Sequence, residues 1–170
     1  MTNQNRSRTL HLTLLAMLSA IIVLMAFTPL GYLKVGLVEI TFLTVPVVIG
    51  AIILGPLDGA ILGAVFGLTS FAQCFGTSAF GAAILGISPV FTFIVCLVPR
   101  ILIGIISGYL SKWLEKKQVE DIINYVFSSL AGALTNTVFF VGLVILLFGQ
   151  TDYIQSFGDS LIKIIGALEA

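Results

Sequence analysis

The run PVFTFIVCLVPRILIGIISGYL, Pro89 to Leu110, holds one charged side chain, Arg100, among residues that otherwise suit hydrocarbon. A helix rises about 1.5 Å per residue, so about 20 apolar residues cross a hydrocarbon core about 30 Å thick. The run therefore reads as a membrane span with a guanidinium near its middle. At that depth the charge costs on the order of a few to more than ten kcal/mol, depending on how far water and neighbours relieve it. Two readings follow. Either Arg100 faces an anion or a polar cavity, or it caps backbone carbonyls on a neighbouring helix or reaches for the cytoplasmic edge. Pro99 gives the second reading a target, because a residue without an N–H leaves the carbonyl of Val95 without its helical donor.

The rest of the chain agrees with a membrane setting. Hydrophobic residues make up 58% of it and charged residues 9%. Residues 1–170 read as a single membrane-embedded domain, with no water-soluble domain appended, so any ATP hydrolysis falls to another chain. A formal net charge of zero without a basic cluster argues against a nucleic-acid partner. Cys74 and Cys96 lack metal-ligand spacing and read as packing residues. Leu10 to Phe27 is long and has no small-residue cleavage site after it, so it reads as an uncleaved first span rather than a signal peptide.

The spans follow from the apolar runs and their punctuation. Thr28 to Glu39 contains Pro29, Gly31 and Gly36 and cannot continue the first helix. Leu33, Val35 and Leu37 alternate within it, which predicts a short extended segment. The second span, Ile40 to Leu54, is short and ends in the turn Gly55-Pro56. Asp58 is placed to cap the third span, Gly59 to Phe75. Gly76 to Ser88 reads as a loop, Pro89 to Leu110 as the fourth span, and Ser111 to Asp121 as a water-exposed polar loop. Ile122 to Phe148 is a long fifth span. Ile154 to Ala170 is an interfacial helix or a short or truncated sixth crossing. The fold class is all-α, an integral membrane helical bundle.

Arg6 and Arg8 before the first span, with Lys112, Lys116 and Lys117 after the fourth, place the amino terminus in the cytoplasm by the positive-inside rule. The 28–39 and 76–88 segments then face outside. Small residues recur at spacing four: Ala16 and Ala20 on the first span, Gly59, Gly63 and Gly67 on the third, Gly104 and Gly108 on the fourth. In lipid such stripes let backbones approach closely. On the third and fourth spans this reads as packing within the chain. On the peripheral first span it reads as a face for a partner subunit.

The spans contain no mid-membrane carboxylate of the kind that relays protons or binds sodium. No paired carboxylates, metal cluster or nucleophile-base set can be assembled, so an enzyme is not indicated. Neutral polar groups and aromatics are present instead. Asn136, between Thr135 and Thr137, needs partners in hydrocarbon and serves either helix–helix bonding or a ligand. Thr69, Ser70, Phe71 and Gln73 lie near the outer end of the third span, and Tyr32, Phe80, Phe91 and Phe93 belong to the same outer region. Such a lining suits a small, largely apolar ligand with a few polar groups.

The block ITFLTVPVVIGAIILGPLDGAILGAVFGLTSFAQCFG (Ile40 to Gly76), with VPRILIG (Val98 to Gly104) and LAGALTNTVFF (Leu130 to Phe140), resembles the S components of energy-coupling factor (ECF) vitamin transporters. Among them it is most similar to the pantothenate type. The resemblance implies a six-helix protein of the bacterial cytoplasmic membrane that binds a vitamin in a pocket open to the outside. It also implies three partners, a transmembrane coupling subunit and two cytosolic ATPases, so that ATP is used by the partners and this chain carries no cofactor. The family's first-helix alanines, which contact the coupling subunit, are matched by Ala16 and Ala20, and the asparagine of its fifth-helix motif by Asn136. Thr28 to Glu39 takes the place of the loop that closes over the pocket.

The candidate substrate-binding residues are Arg100 and Asn136, followed by Gln73, Tyr32, Thr69 and Phe71. Pantothenate, a small carboxylate, makes sense of a buried cation. Riboflavin or another cofactor precursor is the alternative, and a non-transporting assembly or anchoring protein is the reading from a different class. The orientation is directly testable: a cysteine placed within 76–88 is expected to react with an impermeant thiol reagent from outside the cell, and one within 112–120 is not. The reverse pattern would overturn the positive-inside assignment.

Overall fold

Apolar runs become helices here, and the Gly and Pro residues between them set where each stops. In a computed structural model, residues 3–28, 31–35, 38–76 and 78–148 are described. In chain order they form α1 (Asn3–Ala26), β1 (Tyr32–Val35), β2 (Val38–Thr41), α2 (Thr44–Ile53), α3 (Pro56–Gln73), α4 (Ala79–Ile87), α5 (Pro89–Lys116) and α6 (Asp121–Phe148). The architecture is the expected helical membrane bundle, with one small hairpin inserted after α1. That hairpin is the extended segment anticipated from the alternation at Leu33 and Val35: β1 and β2 pair antiparallel, Tyr32 opposite Thr41 and Val35 opposite Val38.

Among the described residues three helices, over Thr9–Ala26, Pro89–Lys116 and Asp121–Phe148, are long and apolar enough to cross a membrane. The α2 helix has 10 residues, about 15 Å at the usual rise, so it reaches only half-way through a bilayer. The turn after it is built as its sequence suggests. Gly55 adopts φ 111°, a conformation that side chains oppose, and Pro56 starts α3 where its missing N–H costs nothing.

Three local expectations are corrected. Residues 76–88 were expected as a loop, yet they contain α4. Ser78 caps it by accepting a hydrogen bond from Gly81 N at 3.2 Å, and Ser88, held extended before Pro89, ends it. The glycines of this stretch concealed a capped, leucine- and alanine-containing helix. Asp58 does not cap α3, since the cap position is Gly55. It lies in the first turn, where its charge suits the helix dipole and its Oδ2 meets His11 Nε2 at 3.1 Å. Finally, α5 continues through the polar sequence to Lys116, leaving a connector of 117–120 in which Gln118 turns left-handed at φ 54°. The sixth crossing expected over Ile154 to Ala170 lies outside the described residues.

The most extensive packing is between α3 and α5, and glycine makes it possible. A Cβ at Gly59 would lie 2.7 Å from the Gly104 carbonyl oxygen, one at Gly67 2.9 Å from Leu97 Cα, and one at Gly108 2.6 Å from Pro56 Cα. A Cβ at Gly63 would strike the Arg100 carbonyl. Both glycine stripes are thus turned inward, backbone against backbone, as expected of packing within the chain. Around this contact one apolar cluster joins Ile22, Val47, Leu62, Phe66 and Ile103, and a second joins Ile84, Val95, Val144 and Phe148.

The α6 helix is inside-out by the standard of a soluble protein. Over its first four turns the buried residues are Asn124, Ser128, Gly132 and Thr135, with Val144 and Phe148 buried only further along, while Ile122, Val126, Leu130, Leu134 and Val138 are exposed. Lipid explains this, because it solvates the apolar face and leaves hydrogen bonding to hold the inner one. The inner face is bonded accordingly: Asn124 Nδ2 donates to Ser111 O at 3.2 Å, and Ser128 Oγ donates to Asn124 Oδ1 at 3.1 Å.

These contacts predict opposite outcomes for two similar changes. Gly104→Ala forces a methyl into the Gly59 backbone, and overpacking of this kind costs about 1–3 kcal/mol. Gly142→Ala meets nothing within 4 Å and should be neutral or stabilising by up to about 1 kcal/mol. Thermal melts in detergent should show a clear drop for the first variant alone.

Candidate functional site: a cation between two rings

Pro99 cannot donate to the carbonyl one turn back, and Arg100 makes good the loss. Its Nη1 donates to Val95 O at 3.1 Å. The same side chain spans the gap between α3 and α6: the guanidinium carbon lies 5.5 Å from the Phe66 ring centroid and 4.7 Å from that of Phe140. Cation–ring contacts of this sort are worth about 0.5–1 kcal/mol when exposed and about 2 or more when desolvated. A charge that hydrocarbon would reject is therefore held by an aromatic face on each side and by a carbonyl of its own helix.

The neighbouring polar residues divide into two groups. Some are engaged by the backbone. Thr69 Oγ1 donates to Phe66 O at 2.8 Å. The Gln73 amide donates to Ala26 O, satisfying one of the carbonyls left open at the end of α1. Others are buried without a hydrogen-bond partner, among them Asn136 Oδ1 and Ser70 Oγ. Asn136 precedes Phe140 by one helical turn on α6, and Ser70 follows Phe66 by one turn on α3. Residues four apart lie on one helix face, so each of these polar groups shares a face with a ring that flanks Arg100.

Phe71 belongs to a different grouping. It meets Phe75 and Phe93 edge to face, with centroids 5.3 and 5.2 Å apart. Tyr32 opens β1 opposite Thr41. Ala16 and Ala20 are exposed on α1, on the face turned away from the buried Ile22 and Ala26. The structure thus draws Arg100 together with α3 and α6, and leaves the two alanines outside the bundle.

Sequence reading did not anticipate Phe66 and Phe140 as the partners of Arg100. The available signal was spacing: each lies four residues from a polar residue already singled out, Ser70 in one case and Asn136 in the other. The cysteines are free and buried, with their sulfurs 3.8 Å apart. Among the described residues, no three His, Cys, Asp or Glu side chains gather as a metal site. A cation flanked by two rings, with a neutral polar atom one turn from each ring, is equipped to hold a polar ligand.

Comparison with known proteins agrees. Over residues 10–167 the chain matches the family described as ECF transporter, substrate-specific component. It is 32% identical over 152 residues to a protein of Leuconostoc mesenteroides named pantothenate transporter PanT, covering 84% of this chain and 70% of that protein. It is 36% identical over 125 residues to a Lactococcus lactis subsp. cremoris protein named pantothenic acid transporter PanT, covering 67% of this chain and 60% of that one. With a match running through nearly all of its sequence and apolar helices of membrane length, this multi-pass cell-membrane chain belongs to the substrate-specific components of ECF transporters, which bind a cargo rather than transform it.

Proposed function

We propose that this chain is the pantothenate-binding S component of an ECF-type importer. The observation that carries the reading is Arg100, a cation in the middle of an apolar helix, held between Phe66 and Phe140. A planar guanidinium grips a carboxylate with two parallel hydrogen bonds, and pantothenate presents a carboxylate at one end. The names of the two similar proteins support the same vitamin. Riboflavin is less well served. A flavin is best held in a slot between parallel rings, whereas Phe71, Phe75 and Phe93 meet edge to face with interplanar angles of 90°.

In this reading Arg100 holds the carboxylate and Asn136 bonds the neutral polar part of the ligand. Tyr32, Thr69, Phe71 and Gln73 belong to the same outer region. The bonds that Thr69 and Gln73 make to the backbone favour shaping roles for those two residues. Transport energy comes from ATP hydrolysed by two cytosolic ATPase partners, and force reaches this chain through a transmembrane coupling subunit. The docking face is α1, where Ala16 and Ala20 expose a small-residue surface that lets another helix approach closely.

Two measurements test the two halves of this proposal. A hydrogen bond to a charged group contributes about 1.5–3 kcal/mol, so Arg100→Gln should weaken pantothenate binding about tenfold to a hundredfold, with Arg100→Lys falling between it and wild type. Binding of the neutral alcohol analogue should hardly change between wild type and Arg100→Gln. A lower melting temperature with unaltered vitamin affinity would make Arg100 purely structural and remove the carboxylate argument. Separately, Ala16→Leu or Ala20→Leu should abolish uptake in cells while leaving binding to the isolated protein nearly intact. Lost binding with normal complex assembly would place the alanines in the fold rather than at an interface.

A further inference from the structure

We infer that Ser70 is a ligand-contacting residue that reads a neutral polar group of the cargo, a role that rests on the pantothenate assignment above. A serine within a helix ordinarily returns its hydroxyl to the carbonyl one turn back, which for Ser70 is Phe66 O. That carbonyl already accepts the neighbouring Thr69 hydroxyl at 2.8 Å. The Ser70 hydroxyl is left buried, its residue only 8% exposed, with no hydrogen-bond partner in the protein. A buried hydroxyl without a partner costs about 1–3 kcal/mol. Packing gives no reason to keep it, since alanine would fill nearly the same space.

Its position gives the reason. Ser70 lies one turn beyond Phe66, the ring that flanks the Arg100 guanidinium, on the same face of α3. The four-residue step between them rises about 6 Å along the helix axis. A ligand whose carboxylate is held at Arg100 carries its next polar groups at about that distance when, as in pantothenate, a two-carbon spacer separates the acid from an amide and an adjoining hydroxyl. Asn136 Oδ1, also buried without a partner, holds the corresponding place on α6, one turn from Phe140. The two sides of the cluster thus offer matching arrangements, a ring at the cation and a neutral polar atom one turn away. Ser70 and Asn136 are suited to the uncharged part of the molecule, and Arg100 to the charged part.

The test is isothermal titration of pantothenate into detergent-purified protein, with Ser70→Ala compared against Ser107→Ala. Ser107 is a second buried serine whose hydroxyl lacks a partner, but it is packed where α5 meets Gly132 and not beside Arg100. Ser70→Ala is expected to weaken binding about threefold to tenfold, the range for a neutral hydrogen bond. Its ligand-free melting temperature should be unchanged or raised, because the variant removes an unsatisfied group. Ser107→Ala should leave affinity unchanged. The ratio of pantothenate affinity to that of the neutral alcohol analogue should be the same in Ser70→Ala as in wild type, whereas Arg100→Gln should collapse it. Undiminished affinity in Ser70→Ala would overturn the role of Ser70 alone. A ratio that collapses would make Ser70 a support for Arg100 and overturn it equally. Failure of wild type to bind pantothenate would instead overturn the vitamin assignment, and the Ser70 role with it.

Discussion

The close approach of α3 and α5 sets the position of everything else in this protein. Gly59, Gly63 and Gly67 bring the α3 backbone against Gly104, the Arg100 carbonyl and Leu97. In lipid there is little hydrophobic gain from joining two apolar helices, so association depends on van der Waals fit and hydrogen bonds. Backbone contact of this kind fixes relative position to within fractions of an ångström. It carries a functional consequence, because the residues that follow the stripe by three positions are Phe66 and Ser70. The packing stripe and the polar cluster lie side by side on one helix. The first fixes where the second can stand.

Arg100 takes up a backbone carbonyl, and its ring contacts are an addition that its position did not suggest. It donates to Val95 O, the carbonyl that Pro99 leaves open, and it also lies between two aromatic rings from different helices. The hydrogen bond to Val95 O and the ring contacts offset part of the cost of placing a charge at this depth. They also restrain the guanidinium, whose freedom would otherwise be lost on binding. A ligand then meets a cation already oriented, which lowers the entropic cost of association. The proline beside the arginine therefore has a use. By opening a carbonyl it supplies the acceptor that holds the guanidinium in place.

Much of the bundle was legible from residues alone, and the failures have physical causes. Long apolar runs such as Pro89 to Leu110 announce themselves, because few structures other than a helix satisfy their backbone in lipid. The hairpin was visible as an alternation, and the turn before α3 as Gly55-Pro56. The α4 helix was hidden because Gly81 and Gly86 lower helix propensity, and only the Ser78 cap signalled a start. Asp58 looked like a cap because its spacing suited one, but a glycine-proline turn supplied the helix start and freed the carboxylate for His11. Arg100, Asn136 and Ser70 could each be singled out as polar in an apolar setting. That Phe66 and Phe140 flank the same guanidinium depends on how three helices pack, and pair distances between separate spans are not encoded in spacing along one of them.

The contacts of α1 connect the cluster to the proposed coupling face. This helix is fastened to α3 at two points: His11, more than two turns into α1, meets Asp58 in the first turn of α3 at 3.1 Å, and the Gln73 amide bonds Ala26 O where both helices finish. Between these points Ile22 and Ala26 pack into the core that contains Phe66, while Ala16 and Ala20 look outward. On the outward side Ala16 and Ala20 leave a notch between the exposed Leu12, Met17 and Leu24. A partner that grips this notch pulls on a helix tied to α3, and α3 is locked in turn to α5 by glycine. In the proposed coupling, a pull on α1 would reach α3 through these two contacts and α5 through the glycine seam. A mechanism that shifts the whole protein within the bilayer is in keeping with these attachments, whereas one that opened the cluster by peeling α1 away would first have to break both contacts and expose the Phe66 core.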